Sequence, residues 1–114
     1  MTRITPIAPF LKVEKPKRDP GYLAKVRELP CCICQEYEME QRSTTQAHHP
    51  ICDRHGTHRA PDQEAIPLCE GHHQGDLDTS KIAIHRQREE WVEKYGSDRD
   101  WIARTQDAIN GELN

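Results

Sequence analysis

Two short cysteine and histidine pairs in this 114-residue sequence have the spacing of metal ligands. Two ligands separated by two residues can bind one tetrahedral ion from a single tight turn, and a second such pair closes the coordination shell. A shell of three cysteines and one histidine leaves no position for water or substrate, so we predict a structural Zn²⁺ site. Its predicted ligands are Cys31, Cys34, Cys69 and His72.

Other interpretations of the cysteines stay open. Cys31 and Cys34 also have the spacing of a thiol redox pair, and cysteines are often ordinary small core residues. Cys32 is interpreted as a buried neighbour of the ligands, although it also lies close enough in sequence to pair with Cys34. Cys52 has no evident partner. The chain has five cysteines, an odd number that does not favour a disulfide framework.

A second group of histidines predicts a different kind of metal site. Once His72 is assigned to the structural ion, its neighbour His73 must point in another direction. A catalytic ion needs protein ligands on only part of its shell, which leaves positions for water and a phosphate oxygen. We predict that this partial shell holds a divalent ion (Mg²⁺, Mn²⁺ or Zn²⁺) and consists of His48, His73 and His85.

His49 follows His48 along a predicted strand and should therefore face the opposite side. There it would stay free of metal and accept a proton from an attacking water. A neutral imidazole suits this task because its ordinary pKa lies near neutral pH. A surface or core role is the plainer interpretation of any single histidine, but two adjacent histidine pairs around a spaced cysteine set favour the catalytic interpretation.

The composition indicates one small domain that depends on metal. Of its residues 34% are hydrophobic and 31% are charged, so its apolar core must be modest. Small domains of this kind often need a metal or disulfides for stability. No apolar run approaches the roughly 18 residues that cross a bilayer, and the N-terminus lacks the order of a secretion signal. We therefore expect a cytoplasmic protein with no membrane partner.

The overall charge of −3 and the pI near 6.1 do not by themselves indicate nucleic-acid binding. The distribution is more informative, because residues 1–30 contain seven cations and three anions, a local balance of +4. A basic arm on a neutral or acidic body can reach a phosphate backbone, although a solvated tail has the same composition.

The elements that must position these residues are short. Asp19 and Pro20 predict the start of a helix that ends before Pro30, with an acidic N-cap and proline in the first turn. Extended segments are predicted around residues 44–49 and 64–68. A helix is predicted from Glu70 with an interruption at Gly75, and a stronger one over residues 80–95. The inward positions of the first helix are Tyr22, Leu23, Val26 and Leu29.

These signals predict an α+β fold in three parts. Residues 1–18 form an extended basic arm, residues 19–96 hold both metal sites, and residues 97–114 form a C-terminal helix packed on the domain. Ser97 and Asp100 resemble the capping box at the start of that last helix.

The pattern as a whole resembles the HNH nuclease superfamily, in particular small phage and prophage members related to the recombination-associated nuclease Ref. The resemblance covers about residues 19–96, and the joint pattern is specific although no single piece is. It consists of Cys-x-x-Cys at 31–34, Ala-His-His at 47–49, Ala-Ile-Pro-Leu-Cys-Glu-Gly-His-His at 65–73, His-Arg at 85–86 and Trp-x-x-x-Tyr-Gly at 91–96.

The resemblance implies a zinc-stabilised ββα-metal core and metal-dependent hydrolysis of DNA phosphodiester bonds. It implies that His49 is the general base, and that His48, His73 and His85 hold an ion that stabilises the leaving oxygen. It also implies DNA as substrate, and a recombination or replication protein as a possible partner. Arg59 and Arg86 are predicted to neutralise a neighbouring phosphate.

Two departures from the family pattern leave alternatives. His85 lies twelve positions after His73, where many relatives have a ligand within one helical turn, so Asp76 or Asp78 is an alternative third ligand. The middle asparagine that often orients the general base is missing, and Asp62 is the candidate for that role. If these replacements fail, the chain would be a non-catalytic zinc module that binds nucleic acid or protein.

Overall fold

The structure, a computed structural model, describes residues 18–53 and 59–111. In these ranges a two-stranded antiparallel sheet of β1 (Thr45–His48) and β2 (Ile66–Cys69) is surrounded by short helices. The α+β class is therefore confirmed. The predicted arm lies almost entirely outside the described residues. The α-helices are α1 (Pro20–Glu28), α2 (Cys32–Glu36), α3 (Glu70–His73), α4 (Arg88–Tyr95) and α5 (Ile102–Gly111).

Helix α1 forms where the sequence predicts it. The side chain of Asp19 accepts a hydrogen bond from the backbone N–H of Tyr22 at 3.1 Å, and Pro20 occupies the first turn, where its missing N–H costs nothing. Val26 is fully buried, and Tyr22, Leu23 and Leu29 pack around it. The predicted inward face of this helix is confirmed.

The sheet and α3 together form a β-β-α unit. Thr45 pairs with Cys69 and His48 pairs with Ile66, and α3 begins at the residue after β2. Side chains alternate between the two faces of a strand, so β1 directs Gln46 and His48 to one face and Ala47 to the other. Gln46 contacts His73 on α3, whereas Ala47 packs against the core beside α1.

Two hydrophobic clusters hold the unit together. The larger one surrounds the cysteines and includes the buried side chains of Ile33, Leu68 and Trp91. The smaller one joins α1, the residue before β2 and α5 through Val26, Ala65 and Ile109. No helix in the described ranges has the length and apolarity needed to cross a membrane.

One sequence prediction about helices is wrong, and one helix was not predicted. The predicted helix over residues 80–95 begins only at Arg88. Before it the chain turns, and the backbone N–H groups of Ile84 and His85 donate to α3. Helix α2 lies in a segment without helical signal, and it forms because the Cys31 sulfur caps its first turn by accepting from the Cys34 N–H at 3.5 Å. The predicted capping box is partial: Ser97 accepts from the Arg99 N–H, and a 3₁₀ turn, Asp98–Trp101, precedes α5.

Candidate metal centres

The first centre gathers all four predicted structural ligands in the interior. The structure brings together Cys31 and Cys34 from the start of α2, Cys69 from the end of β2 and His72 from α3, and all four are buried. Each pair lies on a turn, as two-residue spacing predicts, and the β2–α3 junction brings the second pair against the first. The cluster is suited to binding a metal such as zinc.

The distances within this cluster match a tetrahedral shell. The Nδ1 atom of His72 lies 3.3 Å from the sulfur of Cys69, 3.5 Å from that of Cys31 and 3.6 Å from that of Cys34. The sulfurs of Cys34 and Cys69 are 3.8 Å apart. With Zn–S near 2.3 Å and Zn–N near 2.05 Å, the edges of a tetrahedron are about 3.8 Å between sulfurs and about 3.5 Å between sulfur and nitrogen.

The protonation of the thiols also fits a cation. The hydrogen bond from Cys31, together with contacts from His72, lowers the pKa of the Cys69 thiol to about 3. Burial, together with the neighbouring charge of Cys69, raises the pKa of Cys34 to about 11. A divalent ion would stabilise further thiolates, because thiolates are the ligand form of cysteine. We refer to these four residues as the Cys₃His cage.

The second centre consists of the three predicted histidines, with their ligand nitrogens all within 4.8 Å of one another. The ring centroids of His48 and His73 are 5.0 Å apart, those of His48 and His85 5.3 Å, and those of His73 and His85 4.8 Å. His48 and His73 are buried, whereas His85 is exposed. We refer to these three residues as the histidine set, and it contains neither Asp76 nor Asp78.

His85 reaches this set because the chain between it and His73 folds back on α3. The backbone N–H groups of Ile84 and His85 donate to the carbonyls of His72 and His73 at 2.9 and 3.1 Å. Gly75 makes the reversal with φ +69°, and a Cβ atom there would lie 2.6 Å from the Cβ of Ala83. A side chain at this position would therefore disturb the fold-back.

The Glu70 carboxylate holds the intervening loop. It accepts hydrogen bonds from the backbone N–H groups of Asp76, Leu77 and Asp78 at 2.7, 3.1 and 2.8 Å. These bonds lower the pKa of Glu70, which therefore keeps its charge. The long spacing between His73 and His85 is thus taken up by an ordered loop.

A cavity of about 280 Å³ opens onto the histidine set. Burial, together with the nearby imidazoles of His48 and His85, lowers the pKa of His73 to about 3. The pKa of His85 is also lowered, chiefly by partial desolvation of its ring at the cavity. Both rings are therefore neutral at pH 7, the form that binds metal. The cavity lining comprises Ala47, His48, His49, Ile51, Arg59, His73 and His85.

His49 lies at this cavity without belonging to the histidine set. Its Nε2 atom is 2.8 Å from an oxygen of Asp62, on the 3₁₀ turn Asp62–Glu64. The backbone N–H of Asp19 donates to the other oxygen of Asp62 at 2.7 Å, and this bond and that to His49 lower the pKa of the carboxyl. The structure therefore contains the acceptor contact that the sequence predicts for Asp62; the catalytic roles of both residues stay predictions.

The two predicted phosphate-binding arginines lie in different surroundings. Arg59 lines the histidine cavity. Arg86 donates to the carbonyl of Gly75 at 3.1 Å and to the carboxylate of Asp76 at 3.3 Å, and it is not among the cavity-lining residues. The geometry therefore places only Arg59 beside the candidate site, while binding of phosphate by either residue stays a prediction.

Two residues at the histidine set have no counterpart in the sequence prediction. Asp98 contacts His48 from the turn before α5, and Gln46 contacts His73 from β1. Burial raises the pKa of Asp98, but hydrogen bonds from His48 and the Ile51 backbone outweigh it and lower the value to about 2. Asp98 is 50 residues from His48 in sequence, so no spacing rule connects them.

These features define the class of the protein: a small α+β domain with a buried Cys₃His cluster suited to a metal and a second group of three histidines at a cavity. The chain belongs to the family described as "Protein of unknown function (DUF968)", whose sequence profile matches residues 2–110. No match was found among curated proteins or among solved structures.

Proposed function

We propose that this chain is a metal-dependent endonuclease of the HNH type that hydrolyses DNA phosphodiester bonds. The observation that carries the proposal is the composition of the histidine cavity. One opening presents a three-histidine metal set, a histidine paired with a carboxylate, and an arginine. Hydrolysis of a phosphodiester requires these same components: a site for a divalent ion, a base for water and a cation for the phosphate.

The residues at the cavity would have separate roles in the reaction. His48, His73 and His85 would hold a divalent ion, which when bound polarises the phosphate and stabilises the leaving oxygen. Three protein ligands leave positions open for water and substrate. Arg59 would bind a phosphate oxygen at the mouth of the cavity by charge and hydrogen bonding.

His49 is the proposed general base. Its Nε2 atom lies against the acceptor oxygen of Asp62, so the ring donates there and leaves the Nδ1 lone pair free to accept a proton from water. The contact fixes the tautomer and orientation of the ring, as the asparagine does in the family pattern. The His49 side chain is 14% exposed, so it is sheltered yet lies where a water in the cavity can approach it.

The order of the elements supports the HNH assignment. The histidine pair lies at the end of β1, and the second pair follows β2 in α3, so a β-hairpin and a helix carry the site. The basic residues at the N-terminus would supply further contacts to the DNA backbone. Under this proposal the chain acts in phage or prophage DNA processing, with a recombination or replication protein as a partner.

The proposal is tested by nicking of supercoiled plasmid in Mg²⁺ or Mn²⁺. We expect His49→Ala to reduce the single-turnover rate by about 10²–10⁴-fold, the usual contribution of a general base. His49→Gln keeps a donor for Asp62 but has no basic nitrogen, so it should be equally impaired. Asp107→Asn, an exposed change on α5, is the control and should cut at the wild-type rate. Equal nicking by wild type and His49→Ala would defeat the assigned mechanism.

A non-catalytic zinc module is the second candidate. It is favoured by one departure, the missing middle asparagine of the family pattern, together with a Cys₃His cage that is complete without the histidine set. This alternative predicts a folded, zinc-loaded protein that binds DNA or a protein but leaves the plasmid intact with every divalent ion. Cleavage that depends on His49 would exclude it.

A further inference from the structure

Asp98 is a carboxylate with no exposed surface, and it lies against the histidine set. A buried charge of this kind is costly unless hydrogen bonds satisfy it. One of its oxygens, Oδ2, is 2.8 Å from Nε2 of His48 and also accepts the N–H of Ile51 at 2.8 Å. The other accepts the N–H of Cys52 at 3.2 Å. Three donors thus converge on Asp98 from the end of β1 and the segment after it.

These contacts determine which ring nitrogen of His48 can bind a metal ion. Two backbone N–H groups point at the Asp98 carboxylate, which therefore serves as an acceptor, and the ring must donate from Nε2. A neutral imidazole with its proton on Nε2 has its lone pair on Nδ1. His48 can then offer only Nδ1 to an ion.

The partner of His73 has the opposite effect. The side-chain oxygen of Gln46 is 2.6 Å from Nδ1 of His73. An amide oxygen can only accept, so this ring donates from Nδ1 and keeps its lone pair on Nε2. Gln46 lies on the same face of β1 as His48, two residues earlier, so one strand carries both a ligand and the support of the other ligand.

We propose that Asp98 and Gln46 are positioning residues that present Nδ1 of His48 and Nε2 of His73 to one divalent ion. This inference rests on the proposed function in that it assigns the metal-binding atoms of the same histidine set. Hydrogen bonds to the far nitrogen of a ligating histidine orient the ring and raise its basicity, and losing one weakens metal binding by about 10–100-fold. Asp98 also connects this strand end to the turn before α5.

The test has a spectroscopic part that does not depend on cleavage. In the protein with zinc in the Cys₃His cage and no second ion, long-range ¹H–¹⁵N spectra of the imidazoles distinguish the two neutral tautomers. We expect His48 protonated on Nε2 and His73 protonated on Nδ1. In Asp98→Ala, which removes the acceptor, the preference of His48 should be lost, and in Gln46→Ala that of His73 should be lost. Asp107→Asn should leave both unchanged.

The second part measures binding of Mn²⁺ alone by the loss of its free electron-paramagnetic signal. We expect Asp98→Ala and Gln46→Ala each to raise the Kd for Mn²⁺ by about 10–100-fold while zinc in the Cys₃His cage stays at one per chain. If Asp98→Ala does not fold, the wild-type tautomers and the Gln46→Ala variant test the inference.

The outcomes separate this inference from the proposed function. Opposite tautomers in the wild type, unchanged Mn²⁺ affinity in the folded variants, or no Mn²⁺ bound by the wild type would each overturn it. Predicted tautomers and weakened Mn²⁺ binding in a protein that cuts no DNA would support the positioning roles and reject the nuclease.

Discussion

The Cys₃His cage and the histidine set share the turn that contains His72 and His73, yet they differ in every property that matters for function. All four ligands of the cage are buried and already spaced as the edges of a tetrahedron. The histidine set has three ligands, one of them exposed, and faces a cavity of about 280 Å³. Neighbouring helical residues point about 100° apart, so one turn serves both centres.

The two centres would also differ in net charge once each holds its ion. Three thiolates and a neutral imidazole around Zn²⁺ give a net charge of −1, which repels phosphate, whereas three neutral imidazoles leave a divalent ion with its full +2 charge. With both ions bound, only the second centre would combine open positions with an attraction for phosphate. We expect the cage to hold the fold and the histidine set to act on the ligand.

The largest effect should follow from breaking the cage. Cys69→Ala removes one ligand from a shell of the kind that contributes about 10–16 kcal/mol in zinc-finger peptides, so we expect loss of cooperative folding. Circular dichroism melts and metal analysis check this. Cys32→Ala is the matched control, because Cys32 is buried beside the cage but is not a ligand. A Cys69→Ala protein with a wild-type melt would contradict a structural role.

Breaking the histidine set should instead remove activity and leave the fold. His85 is the exposed member, so His85→Ala disturbs little packing. We expect plasmid nicking to fall by at least about 10²-fold, with the melting temperature within a few degrees of wild type and one zinc retained. If His85→Ala lost the zinc of the cage as well, the division into two centres would be wrong.

The pH dependence of stability should single out His73. Burial lowers its folded pKa to about 3, while in the unfolded chain the value is about 6.5. Between these values the unfolded state binds one more proton, so His73 makes stability fall as the pH drops below about 6.5. Urea unfolding at pH 7 and pH 5, without a second ion, should show a larger loss for wild type than for His73→Asn. Equal losses would mean that His73 is not held neutral by burial.

The smallest effect separates the two arginines. Arg59→Ala should weaken DNA binding by less than about tenfold and reduce the slope of log affinity against log salt by about 1, as for loss of one phosphate contact. Arg86 is engaged with the Gly75 carbonyl and Asp76, so Arg86→Ala should leave that slope unchanged. A larger change in this slope for Arg86→Ala than for Arg59→Ala would indicate that the DNA contacts Arg86 instead of Arg59.

The parts of the molecule that local spacing determines could be predicted. The Asp19–Pro20 start of α1 depends on one turn of chain, and the cysteine pairs depend on ligand spacing, so both follow from adjacent residues. The grouping of His85 with His48 and His73 also agrees with the sequence prediction, although spacing alone left Asp76 and Asp78 as alternatives.

The remaining features depend on contacts between distant residues. The segment after Gly75 is not helical because its backbone N–H groups donate hydrogen bonds to α3 and to the Glu70 carboxylate. Neither set of hydrogen bonds leaves a periodic pattern in the sequence. Asp98 lies 50 residues from His48, and its carboxylate is recognisable as part of the site only once the fold brings the two together.

The most direct test of two distinct centres is a crystal of the zinc-loaded protein soaked in Mn²⁺, with anomalous data at the edges of both metals. We expect two peaks: zinc enclosed by Cys31, Cys34, Cys69 and His72, and manganese held by the histidine set with solvent in its open positions. A single ion that draws in ligands from both groups, with no second peak at the cavity, would contradict this account.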